Sequence, residues 1–222
     1  MKNWGSYYLF WLLAPTALAF VSRYPLVMLA VPVGFVARRW LPDPILWMRR
    51  AGRVSSLRSL VVANGADVVS RRQLAMIYLE QRKPLAALPL VDAALVREPG
   101  SAELLHLRGL CQLGAGRWDD AVASFITALE RDPRFRYGEP YLKIADALFE
   151  LGRWKDAEES LEHFLAINGS SLEGWCKRAY AREKQGDRPG SDDLKIQARA
   201  VYAQLPAFQR RRQFLWWCRS WW

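Results

Sequence analysis

The strongest constraint on this chain is a period of 34 residues, written four times between Val68 and Leu205. Residues 68–101, 102–135, 138–171 and 172–205 align on one another with only Arg136 and Tyr137 left over. Small residues recur at fixed places: the eighth position is Ala75, Gly109 and Ala145 in the first three copies, and the twentieth is Ala87, Ala121 and Ala157. Pro99 and Pro133 stand twelve residues beyond the first two of those later alanines. A small side chain at constant phase marks a close approach of two segments, and proline after an apolar run of helical spacing marks a helix end. One such unit cannot bury its apolar face alone, so the period predicts helical hairpins stacked into a solenoid.

The units resemble the tetratricopeptide repeat (TPR). That pattern has a large apolar residue at position 4, small residues at 8, 20 and 27, a bulky one at 24 and proline at 32. The second copy carries Leu105, Gly109, Ala121, Phe125, Ala128 and Pro133; the first carries Ala75, Ala87, Val91, Ala94 and Pro99; the third carries Tyr141, Ala145, Ala157 and Leu161. The third copy departs at Phe164 and Gly169, and the fourth at Ser191 and Lys195, as expected of a terminal unit with one face in water. The resemblance implies an all-α, right-handed solenoid of about four hairpins that binds proteins, with no cofactor and no metal.

In this family the groove face of the first helices uses positions 2, 5, 9 and 12, one stripe of a 3.6-residue helix. Here that stripe is Val69, Arg72, Met76 and Leu79; Glu103, His106, Leu110 and Leu113; Glu139, Leu142, Asp146 and Phe149; and Glu173, Cys176, Tyr180 and Glu183. Apolar and aromatic residues alternate with acids, which predicts a basic, apolar partner segment. The Lys, Asn and Arg clamp with which some relatives hold a C-terminal carboxylate is absent. The tryptophans at position 17, Trp118 and Trp154, are expected to pack between hairpins.

The net charge of +10 is unevenly placed. Residues 1–58 hold eight Lys or Arg against one Asp, and residues 206–222 hold four Arg and no acid. The repeats carry 20 basic and 20 acidic side chains, so the excess belongs to the two terminal segments. Those segments also hold eight of the eleven tryptophans. Arginine and tryptophan beside apolar runs make the composition of a membrane interface. Nucleic acid is the competing partner for a basic aromatic segment, but no recognised binding module accompanies it.

Residues 1–41 are expected to anchor the chain in a membrane. Trp4 to Ser22 has no charged side chain and, as a helix rising ~1.5 Å per residue, is roughly 28 Å long, close to a bilayer's hydrocarbon thickness. The run from Tyr24 to Ala37 is shorter and carries Pro25 and Pro32, so the anchor is either one span with a re-entrant piece or a thin hairpin. Arg38, Arg39, Arg49 and Arg50, with Trp40 and Trp47, follow on one side, which by the positive-inside rule orients the repeats to the cytoplasm. The alternative is a secreted protein whose Ala17-Leu18-Ala19 is a cleavage site. Residues 42–67 read as an interfacial linker and capping helix, with Gly52 as a joint and Asn64-Gly65 as the stop. Pro89 is expected to kink the second helix of the first repeat.

No residues support an enzyme. His106 and His163 lie in different repeats without a nucleophile or paired acid at triad spacing, so both read as surface or groove side chains. Glu158, Glu159 and Glu162 read as one solvated helix face. Cys111, Cys176 and Cys218 are dispersed and fit neither a disulfide framework nor a zinc site. Residues 206–222 form a basic tail. Drawn as a helix, Phe214, Leu215, Trp217, Cys218, Trp221 and Trp222 share an arc, with Arg210 and Arg211 able to snorkel. This predicts an interfacial helix pinning the far end of the repeats to the same leaflet, with Trp216 turned to the polar side. The sequence therefore describes a membrane-anchored scaffold of unknown protein partner.

Overall fold

The computed structural model describes residues 44–221, with side chains from Gly52 onward. The expected anchor over residues 1–41, with Arg38, Arg39 and Trp40, lies outside the described residues, as does Trp222. Every element among the described residues is helical. None of those helices is long and apolar enough to cross a membrane.

Helix α1 (Pro44–Ala63) carries Trp47, Arg49 and Arg50 and runs unbroken through Gly52. A lone glycine costs a helix only about 1 kcal/mol, so it does not by itself make a joint. The chain then forms four hairpins: α2 (Val68–Glu80) with α3 (Pro84–Leu95), α4 (Ala102–Gly114) with α5 (Trp118–Arg131), α6 (Glu139–Glu150) with α7 (Trp154–Ile167), and α8 (Leu172–Lys184) with α9 (Arg188–Gln204). Each hairpin packs on the next, and α10 (Ala207–Arg219) follows the last. Residues 56–222 form one compact unit.

Local chemistry fixes these boundaries. Asp67, Ser101 and Ser171 cap α2, α4 and α8, each side-chain oxygen accepting from the backbone N–H three residues on. Pro84, Pro140 and Pro189 occupy first-turn positions, where no N–H is required. Pro89 lies within α3 on its exposed side. All four first helices end in one motif: Lys83, Arg117, Arg153 and Asp187 donate to Tyr78, Gln112, Leu148 and Arg182, and the residue between is left-handed. That residue is Gly116, Gly152 or Gly186 in the later repeats, with φ of 74°, 69° and 89°, but Arg82 in the first, with φ of 57°. Arg82→Gly is therefore expected to stabilise the protein by about 1 kcal/mol, the cost of a side chain in this conformation. Urea unfolding monitored by circular dichroism measures it, and no gain or a loss counts against the assigned strain.

The small residues at position 8 have a visible cause. A Cβ on Gly109 would lie 2.6 Å from the ring of Phe125, the position-24 residue of the same hairpin, and Phe125 is fully buried. Phe164, which departs from the small residue expected at position 27, is accommodated by Gly174 of the next hairpin, whose Cβ would lie 2.8 Å from the Phe164 ring. The two residues outside the 34-residue frame, Arg136 and Tyr137, are absorbed as a left-handed turn with φ of 47° and 56°, continued by Gly138 at 79°.

The tail is turned differently from the sequence expectation. Helix α10 packs against α8 and α9, with Gln213 accepting from Leu172 N–H at 2.7 Å and donating to the Ser170 carbonyl at 3.1 Å. Trp216 is half-buried and faces the solenoid: its carbonyl accepts from the Cys176 thiol at 3.3 Å, and Lys177 lies 5.8 Å from its ring. Trp217, expected on the interfacial arc, stacks on Tyr202 at 5.3 Å. The unsatisfied amide at the start of α8 and the open flank of the last hairpin select this side of α10. The aromatic arc, drawn without partners, could not include them.

Candidate partner-binding face

The stripe residues of the first helices line three clefts. Arg72, Met76, Leu79, Glu103, His106 and Leu110 surround the first, with Arg136. Leu79, Leu110, Leu113 and Asp146 line the second, with Arg82 and Trp118. Phe149, Cys176, Tyr180 and Glu183 line the third, of about 430 Å³, with Lys177, Lys195, Trp216 and Arg219. Leu142 is instead buried in the core and is not offered to a partner.

The acids do not form the open acidic stripe that the sequence suggests. Glu103 pairs with Arg72 across the first two repeats. Glu139 pairs with Arg136 at 3.3 Å, and Glu183 with Lys195 at 3.7 Å. Lys177 holds both Asp146 and Glu173 at 2.6 Å, and Lys143 reaches Asp146 at 3.6 Å. The face is thus a lattice of ion pairs with apolar floors between them. Arg72 is itself a stripe residue, but Lys143, Lys177 and Lys195 occupy other helix positions and Arg136 belongs to the inserted pair, so reading the stripe alone could find only the first of these pairings.

Aromatic residues concentrate at the third cleft. Phe149 and Tyr180 meet edge to face at 5.6 Å, and Trp154 contacts Phe149 at 5.8 Å and Tyr180 at 6.0 Å. Trp154 and Trp216 therefore belong to this site, although only Phe149 and Tyr180 were expected on it. Tyr180 remains exposed, as does Met76 at the first cleft.

His106 is 2 % exposed, a buried side chain and not a surface one. Its ring packs between Phe125 and Phe135 at 5.3 and 5.4 Å, and neither ring nitrogen has a hydrogen-bond partner. Burial pushes its pKa down to about 4; Glu139, 3.9 Å away, opposes this, while Arg136 and Lys143 reinforce it. The imidazole is neutral at pH 7. Burial likewise pushes the Cys111 thiol up to about 12 and the Cys176 thiol up to about 11, so neither is a nucleophile at neutral pH. The described cysteines are all free, and no three His, Cys, Asp or Glu of the described residues group as metal ligands.

On the opposite helices, Glu159 and Glu162 are exposed as expected, but Glu158 is drawn into a network and is not part of a solvated face. Arg182 Nε donates to Glu158 at 2.5 Å, Gln185 donates at 2.8 Å, and Arg178 pairs with Glu162. Burial raises the Glu158 carboxyl, but these hydrogen bonds and charges outweigh it and leave the group below the ordinary carboxylate value. His163 stacks on Tyr141 at 5.4 Å, away from the stripe.

A face of this kind, built by first helices of successive hairpins around apolar clefts, defines the class: a helical-repeat protein that presents an extended interaction surface. Two tetratricopeptide repeat family models match the chain, over residues 72–134 and 112–171, and this stretch is built of tetratricopeptide repeats. Solved structures of MamA share the fold. One is 16 % identical with a TM-score of 0.67, covering 80 % of this chain and 92 % of that one. Another is 17 % identical with a TM-score of 0.65, covering 68 % and 87 %. MamA from Desulfovibrio magneticus RS-1, residue 41 to the end, is 17 % identical with a TM-score of 0.56, covering 60 % and 75 %. No curated protein matches the sequence.

Proposed function

We propose that this chain is a membrane-tethered scaffold whose first-helix face seats a segment of a partner protein. The observation that carries the reading is the row of clefts at that face, ending in the Phe149, Trp154 and Tyr180 cluster. Those side chains suit apolar anchors of a helical or extended segment. A basic residue in the segment competes with Arg72 or Lys177 for acids already paired, so apolar contacts supply the affinity and charge steers approach. The apolar run Trp4–Ser22 followed by arginines supports a retained anchor with the repeats on the cytoplasmic side.

Capture in mild detergent tests the groove. Met76→Lys with Tyr180→Lys places charge in the first and third clefts at exposed positions, leaving the core untouched. The expected result is loss of the partners captured by the parent chain, with helicity unchanged. Equal capture by both refutes the groove. The tether is tested by fractionation: retention in the membrane pool through a high-salt wash is expected, whereas a polynucleotide-bound protein is released because phosphate contacts weaken with salt.

A further inference from the structure

We propose that the outward face of α10 is a docking surface for an anionic lipid bilayer. Gln213, Trp216, Trp217 and Ser220 turn towards the last hairpin, and this fixes which side of the helix is left over. At the centre of that remaining side stand Phe208 and Leu215, 63 % and 76 % exposed, with Arg211 between them at helical spacing. Arg212 flanks them on one edge, and Arg210 and Phe214 on the other.

The charge on this face is uncompensated. No acid occurs between Pro206 and Trp222. Among the described residues, no carboxylate lies within ion-pair range of Arg210, Arg211 or Arg212, whereas the stripe acids of the repeats are each paired. Three unpaired guanidinium groups around large exposed apolar side chains complement a surface of anionic headgroups over hydrocarbon: the apolar groups insert while the arginines snorkel to phosphate. A polynucleotide satisfies the arginines but gives Leu215 nothing to enter. The helix of 13 residues, roughly 20 Å long, matches an element lying flat in an interface. This surface is distinct from the three clefts, so it holds or fails independently of the groove reading.

Hydrogen exchange on the full-length chain tests it, with nanodiscs of phosphatidylcholine alone, nanodiscs with one quarter phosphatidylglycerol, and a duplex oligonucleotide as three separate additions. Exchange over residues 207–215 is expected to slow only with phosphatidylglycerol. Each arginine replaced in Arg211→Ser and Arg212→Ser is expected to weaken the protection roughly fivefold. Phe208→Ser with Leu215→Ser is expected to abolish it, and both residues are exposed, so the fold is retained. No slowing with phosphatidylglycerol overturns the proposal. So does slowing that survives loss of Phe208 and Leu215, or that the oligonucleotide reproduces.

Discussion

Replacing Phe125 by alanine is expected to lower the stability of the repeats by about 3–5 kcal/mol, a large share of the ~5–15 kcal/mol that holds a domain folded. Phe125 is the largest of the fully buried side chains, and its ring touches that of His106. The cavity would therefore open beneath an imidazole that already lacks hydrogen-bond partners. The companion change is Gly109→Ala, which must displace the Phe125 ring because the new Cβ would lie 2.6 Å from it; overpacking of this kind costs about 1–3 kcal/mol. The two positions are coupled. The third repeat carries Ala145 with Leu161 where the second carries Gly109 with Phe125, and both members of each pair are buried. Gly109→Ala combined with Phe125→Leu reconstitutes the third-repeat pair, and its cost is expected to be smaller than the sum of the single changes. Urea unfolding of the parent, Gly109→Ala, Phe125→Leu and the double variant decides it: strict additivity would show that the glycine is not there for the phenylalanine.

The hairpins were legible in the sequence because each is set by short-range information: apolar spacing, a cap, a proline and a left-handed turn, repeated at one period. Arg82 shows how local that information is, since it adopts the turn its glycine counterparts adopt and leaves the hairpin intact. Pairings between repeats were not legible. Phe164 looked like a departure from the family pattern, yet Gly174 of the next hairpin makes room for it, and only the packed interface relates the two. Glu139, Asp146 and Glu173 looked free because their partners Arg136 and Lys177 are off the stripe. Glu158 looked solvated because Arg182 is 24 residues away. The orientation of the tail was hidden for the same reason on a larger scale: Leu172 and Tyr202 choose which part of its aromatic arc faces inward.

Acid is expected to destabilise the repeats in two pH windows, and His106 accounts for the upper one. Its ring lies between Phe125 and Phe135, faced by Glu139, Arg136 and Lys143, with the Arg72 and Glu103 pair and Glu80 around the same cleft. Above pH 6.5 the imidazole is neutral in both folded and unfolded chains and adds no pH dependence. As pH falls from 6.5 towards 4, the unfolded chain takes up a proton that the folded chain refuses, so stability declines; below about 4 both are protonated and the loss is complete. A shift from 6.5 to about 4 corresponds to roughly 3 kcal/mol lost across that window. Glu158 has the opposite starting point. Its carboxyl is held below the ordinary value, so its stabilising contribution is present above pH 4.5 and is lost only as pH falls through the lower folded value. The windows therefore separate. His106→Leu removes the titrating group and the unpaired nitrogens together, and is expected to flatten stability between pH 6.5 and 4.5 while leaving the lower window unchanged. Glu158→Gln is expected to do the reverse. Urea midpoints of the parent and both variants across pH 3.5 to 7.5 test the assignment, and an unchanged upper slope in His106→Leu would place the acid sensitivity elsewhere.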